Sequence, residues 1–361
     1  MAMPDHGTHQ DLNRAGPRSS AAYVGSGLLL GLYAAAGAGW IGYEVDRRGA
    51  DGGDFVRALY DPLVPFTPWA QTPPDWALLA AALVFGGIAV ARRRVARGAL
   101  MFVAVFLVAL ALRELVGVAA SSTYRELLRR SEYGRLLAGF RALGLVVGVA
   151  TLVAMARAGR RATAPAAHAP WTPSAPTDAP APPPPSYGPP HPSYGSYGPY
   201  GPPPVPPRPA GARAGLTTAG VCLLLSGAVS VAWLIHRLTR PQVFLVGGSP
   251  DAGASGFFRD AVDASYSASV PYAFHTLAFA LAPCVVAGLL LAGRPAGRGA
   301  GLALASVLLY LDGRTLYSLV SDGHLDQYVE TTQGTLAVLS TLCTAALSLV
   351  TVPALLSARE P

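Results

Sequence analysis

Arg113, Glu114, Arg141, Asp312 and Arg314 are the ionisable side chains that fall inside long apolar runs of this 361-residue chain. A charge at the centre of a bilayer costs about 2.5–3.5 kcal/mol on insertion scales, so each one needs a partner or a task. Arginines carry forked donors that match a carboxylate or phosphate. Arg113 with Arg314 would therefore make a basic pocket for an anionic small molecule or lipid headgroup, with Glu114 and Asp312 tuning it and Arg141 at similar depth. Ion pairing is the simpler expectation: Glu114 with Arg141, Asp312 with an arginine of the other half of the chain, and the remaining guanidiniums reaching outward along their stems. Asp312 and Arg314 stand two residues apart and point in different directions on one helix, so they are not expected to satisfy each other.

Other chemistries find little support. His236, His275 and His324 fall near the ends of apolar runs but lack an acid-rich ligand set or partners at matching depth, so hydrogen bonding is expected of them and no metal. Cys222, Cys284 and Cys343 all lie inside apolar runs, where cysteine packs as a small hydrophobe rather than building a disulfide framework. No hydrolase elbow, zinc-protease motif, phosphate loop or dinucleotide fingerprint occurs in a usable context, so the chain is not expected to be an enzyme or to need a cofactor. A membrane enzyme using haem or quinone ranks last. The net charge of +7 comes from arginines spread among short turns, which suits anionic headgroups and not a nucleic-acid surface.

The elements that must hold these residues are membrane helices. With 52% hydrophobic and 13% charged residues, and a mean hydropathy of +0.38, the chain is too apolar for an aqueous domain and points to a lipid bilayer. Eight runs come close to the roughly 20 residues that a span needs, near 21–43, 75–91, 99–120, 136–156, 214–236, 272–292, 300–320 and 335–357. Sliding Ala77–Leu115 onto Ala278–Leu316 gives 14 identities in 39 positions, among them Arg93/Arg294, Arg97/Arg298 and Arg113/Arg314. At an offset of 193, Gly27 meets Gly220, Leu30 meets Leu223 and Trp40 meets Trp233. The expected fold is an all-α polytopic membrane protein: eight transmembrane helices as two tandem four-helix repeats, related by a pseudo-twofold along the membrane normal. An N-terminal signal peptide is the rival for the first run, but its match at 214–236 is internal.

Placing the N-terminus inside leaves 14 arginines against 4 acidic residues on the cytoplasmic side, and 10 against 14 outside. The expectation is a cell-membrane, multi-pass protein with both termini cytoplasmic. Its divisions are a disordered tail (1–20), a first membrane repeat (21–161), a Pro/Tyr/Gly-rich cytoplasmic linker (162–213) and a second repeat (214–361). The linker holds 19 of the 33 prolines and reads as an extended, partly polyproline II tether. Between the first two spans, Phe55, Ala58 and Leu59 have helical spacing around Arg57, and the second copy offers Phe257, Phe258, Ala261 and Val262 around Arg259; each predicts a short amphipathic surface helix. The turns after the third spans carry opposite charge in the two copies, Arg125, Arg129 and Arg130 against Asp322, Asp326 and Glu330, and are expected either to attract one another or to be solvated separately. These features favour a permease-like or anion-binding membrane unit; the alternative is a membrane scaffold that recruits a cytoplasmic protein through Pro203–Pro209.

Overall fold

The computed structural model of the chain describes residues 17–48, 52–61, 73–91, 95–130, 132–163, 210–239, 272–321, 323 and 325–358. The N-terminal tail through residue 16, Arg92–Arg94, the linker 164–209, the second amphipathic segment around 257–262 and His324 lie outside the described residues. What is described is almost wholly helical. The helices are α1 (Pro17–Arg48), α2 (Gly52–Tyr60), α3 (Pro73–Val90), α4 (Ala96–Ala120), α5 (Ser122–Arg130), α6 (Glu132–Thr163), α7 (Ala210–Thr239), α8 (Tyr272–Leu291), α9 (Pro295–Ser321), α10 (Leu325–Val329) and α11 (Thr332–Ser357).

Seven of them, α1, α3, α4, α6, α7, α8 and α11, are long and apolar enough to cross a membrane. They turn Leu28, Leu83, Val146, Val285 and Leu349 outward, which in water would be a liability and in lipid is the ordinary condition of a helix surface. The chain is a multi-pass, all-α membrane protein. The eighth expected span, α9, is a helix of 27 residues, but Asp312, Arg314 and several glycines lower its apolarity below that of the other seven.

Two sets of four helices pack in the same way. In the first half α1 lies against α3 and α6, and α4 against α3 and α6; in the second, α7 lies against α8 and α11, and α9 against α8 and α11. Several close contacts fall at matching positions. Leu30 on α1 and Leu223 on α7 are both fully buried, and a Cβ on Gly27 would press on Gly86, Ala89 and Val90 while one on Gly220 would press on Leu290 and Leu291. Arg97 lies against Gly159 at the end of α6, and Arg298 donates from Nε to Leu355 O at 2.9 Å near the end of α11. Arg298 thus binds the carbonyl end of α11, and Arg97 lies at the matching place against α6.

The halves meet where α4 crosses α9. A Cβ on Gly98 would collide with the Ala296 carbonyl, and one on Gly299 with the Val95 carbonyl. These two contacts exchange under the 201-residue offset (98 + 201 = 299; 95 + 201 = 296). Only glycine lets two backbones come so close. Phe106 of α4 stacks on Phe279 of α8 with centroids 5.0 Å apart, and one continuous apolar core runs through both halves.

At the end of the bundle away from the Gly98 crossing, α2 lies against α9 and buries Ala58 against Trp76. The surface helix expected from Phe55, Ala58 and Leu59 is this α2. Arg125 caps the end of α4 through Val118 O and Ala119 O, Arg130 pairs with Glu126, and Glu132 pairs with Arg47 of α1. Arg125, Glu126, Arg130 and Glu132 of the α4–α6 turn are thus engaged within their own half.

Candidate functional site

The first half gathers a buried charged cluster at that same end. Arg113 and Glu114 come from the last turns of α4, Arg141 from the third turn of α6, Asp75 from the first turn of α3, and His275 from the first turn of α8. These antiparallel helices begin or end at one level, so residues far apart in sequence share one layer. All five are between 3% and 9% exposed.

Charges alternate along the cluster. Arg113 Nη1 donates to Glu114 Oε1 at 2.9 Å, Arg141 Nε stands 3.8 Å from the same oxygen, and Arg141 Nη1 donates to Asp75 Oδ1 at 3.1 Å. His275 Nε2 lies 3.9 Å from Asp75 Oδ1, joining the second half to the first. His275 sits one residue from the counterpart of Asp75 (75 + 201 = 276), so α3 and α8 bring nearly equivalent positions to the seam. Adjacent residues on a helix diverge by about 100°, yet the long stem of Arg113 folds back onto its neighbour Glu114.

Tyrosines close the cluster on two sides. The Tyr124 hydroxyl, at the start of α5, donates to Glu114 Oε2, while the Arg113 guanidinium lies 5.8 Å over the Tyr124 ring. Burial, then the Glu114 charge, push the Tyr124 phenol above its ordinary range, which keeps it a donor. Ser121 fixes α5 by accepting from Tyr124 N at 3.1 Å. On the other side the Tyr33 hydroxyl is within hydrogen-bonding reach of Arg141, and its ring stacks on Phe140 at 4.7 Å. Trp40 meets Phe140 edge-on at 5.3 Å and donates to Glu44. The result is a charged interior walled by aromatic rings.

Two guanidiniums converge on one carboxylate oxygen of Glu114. Arg141 Nε is buried and donates no hydrogen bond among the described residues, since 3.8 Å to Glu114 is too long for one. A buried guanidinium N–H without an acceptor is an unspent donor in a setting where donors are valuable. Glu114 is the carboxylate that lies between Arg113 and Arg141.

Of the residues expected to form a site, the structure brings together Arg113, Glu114 and Arg141 and places the other two elsewhere. Arg314 turns to α2, donating from Nε and Nη2 to Ala58 O at 3.3 and 3.2 Å, while Tyr310 donates to Leu59 O at 2.7 Å. Asp312 faces α11, within hydrogen-bonding reach of Thr344. The arginine partner expected for Asp312 is not found among the described residues.

Sequence reasoning missed Asp75, His275, Tyr33 and Tyr124. Asp75 follows Pro73 and Pro74 in the first turn of α3, where an acidic residue suits the helix start without any partner. His275 was expected only to make hydrogen bonds near the end of an apolar run, and its place beside Asp75 depends on how α8 meets α3.

Comparison with protein families, with curated proteins and with solved structures found no match to this chain.

Proposed function

We propose that this protein is a non-enzymatic, permease-like membrane unit of two related four-helix halves that binds a small anion or an anionic lipid headgroup between Arg113 and Arg141. In this reading α9 is the eighth span, the halves are related by a pseudo-twofold along the membrane normal, and both termini with the Pro-rich linker are cytoplasmic in the cell membrane. The reciprocal contacts of Gly98 and Gly299, and the matched arginines Arg97 and Arg298, support the duplication. The arginine-rich turns support the orientation.

One observation carries the binding proposal: the second half packs similarly with only one of the cluster's charges kept, Arg314 at the position of Arg113, and that one is turned to α2. At the counterpart positions Asp75 and Glu114 become Thr276 and Thr315 (75 + 201, 114 + 201), and Arg141 becomes Thr341 at the offset of 200 by which the buried Thr151, Met155 and Ala158 of α6 match the buried Thr351, Leu355 and Ala358 at the end of the chain's last helix. Thr315 and Thr341 satisfy their hydroxyls on their own helix, at Leu311 O and Ala337 O, both at 3.0 Å. The four-helix packing therefore does not require charges there. Buried ion pairs seldom add net stability over apolar residues of similar size, so a cluster kept in one half only is better explained by a ligand. An incoming carboxylate or phosphate would take the place of Glu114, which retains the Tyr124 hydroxyl as its donor.

The test is ligand-dependent stabilisation of the purified full chain in detergent, with inorganic phosphate, acetate and phosphatidylglycerol as separate probes. A ligand at about 100 times its Kd adds about 2.7 kcal/mol. One probe should raise Tm in a saturable way, and Arg141→Lys should weaken that response by removing the fork. A flat response to every probe, equal in wild type and variant, would count against the site.

A further inference from the structure

A second site lies in the other half and does not depend on the anion reading. Asp312 enters α9 after the apolar run Leu308–Leu311 and faces α11. Its Oδ2 is shielded from solvent and takes no hydrogen bond among the described residues. The face that α11 turns inward is lined with hydroxyls: Thr344, Ser348 and Thr351 are all buried, at a spacing of four and three residues. Ser348 is fully buried, its Oγ has no partner among the described residues, and it stands one turn from Thr344.

Protons are scarce in this layer. Thr344 has one hydroxyl proton, and Ser340 O and Thr341 O, each at 3.1 Å, compete for it with the Asp312 carboxylate. Among the described residues, no positive charge comes from the elements packed around α9. Arg314 is spent on α2, Arg113 on Glu114, and His275 stands at Asp75. Asp61, at the end of α2, pairs with Arg57, and α11 contains no Asp, Glu, Lys, Arg or His. α7 carries its charges only at its ends, Arg213 at one and His236 and Arg237 at the other. A carboxylate in an apolar layer without a counter-charge is costly and must be neutralised. Oxygen donors alone, one carboxylate and neutral hydroxyls, suit a hard cation and not a transition metal.

We infer that Asp312, with Thr344 and Ser348, holds a small monovalent cation, sodium or a proton, inside the second half. The two sources give different results in one experiment on the purified full chain. Tm is followed against sodium chloride, with choline chloride keeping ionic strength constant, and separately against pH without sodium.

If sodium is the occupant, wild type gains stability saturably with sodium and not with choline, Asp312→Asn gains nothing, and Ser348→Ala needs about tenfold more sodium. If a proton is the occupant, sodium has no effect and wild type gains stability on acidification that Asp312→Asn does not. Identical responses of wild type and Asp312→Asn to both sodium and pH would overturn the site. Should Asp312→Asn fail to fold, Thr344→Val and Ser348→Ala carry the same comparison, and unchanged responses in both would overturn it equally.

Discussion

The two halves of this protein spend their polar residues differently on similar packing. Around Arg141 the first half places opposite charges against each other and finishes them with Tyr33 and Tyr124. The second half has threonines at the counterpart positions and leaves one carboxylate, Asp312, among hydroxyls. Backbone approach at Gly98 and Gly299, and burial of Leu30 and Leu223, are alike in both. The features that both halves show are the ones their packing uses, and the charges they do not share are not required by that packing. Buried charge in a membrane is a poor way to gain stability, so an alternating cluster of paired charges in the first half, against a single shielded carboxylate in the second, is informative.

That contrast can be broken most forcefully at Arg141. Arg141→Ala leaves Asp75 and Glu114 without their shared cation and should cost about 3–5 kcal/mol in the unfolding free energy measured in detergent. Thr341→Ala, its counterpart, should cost about 1 kcal/mol or less. Equal losses would mean that the two positions do the same job. The shared framework is tested at the crossing: Gly98→Val and Gly299→Val should each cost about 1–3 kcal/mol, and they should match, because each Cβ meets an equivalent carbonyl. A large loss at one and none at the other would remove the equivalence of α4 and α9. The smallest expected effect is at Arg314. Arg314→Ala removes the donors to Ala58 O, so α2 amides should exchange faster with solvent while stability falls by about 1 kcal/mol; unchanged exchange in α2 would show that Arg314 does not hold it.

The helices were legible in the sequence because apolar length is a local property. Asp312 and Arg314 set the limit of that method, since they pull α9 below the apolarity of its neighbours while leaving it a 27-residue helix. The short helix α2 was also legible, from Phe55, Ala58 and Leu59. The pairing of Glu114 with Arg141 followed from both being charges at one depth. Asp75 and His275 did not follow, because their meeting depends on how α3 and α8 sit at the seam between the halves. Nor did the turn of Arg314 towards α2: helix spacing gives the direction in which a side chain leaves the backbone, but not which neighbouring carbonyl ends within its reach.

The most direct test replaces the charges with apolar residues of similar size, in the combined variant Asp75→Leu, Arg113→Met, Glu114→Leu and Arg141→Met. Tm of the purified protein is then measured with and without the anion that stabilises wild type. The account predicts a folded, monodisperse protein at least as stable as wild type without ligand, and no stabilisation by the anion. A variant that does not fold, or one that folds and still responds to the anion, would contradict it.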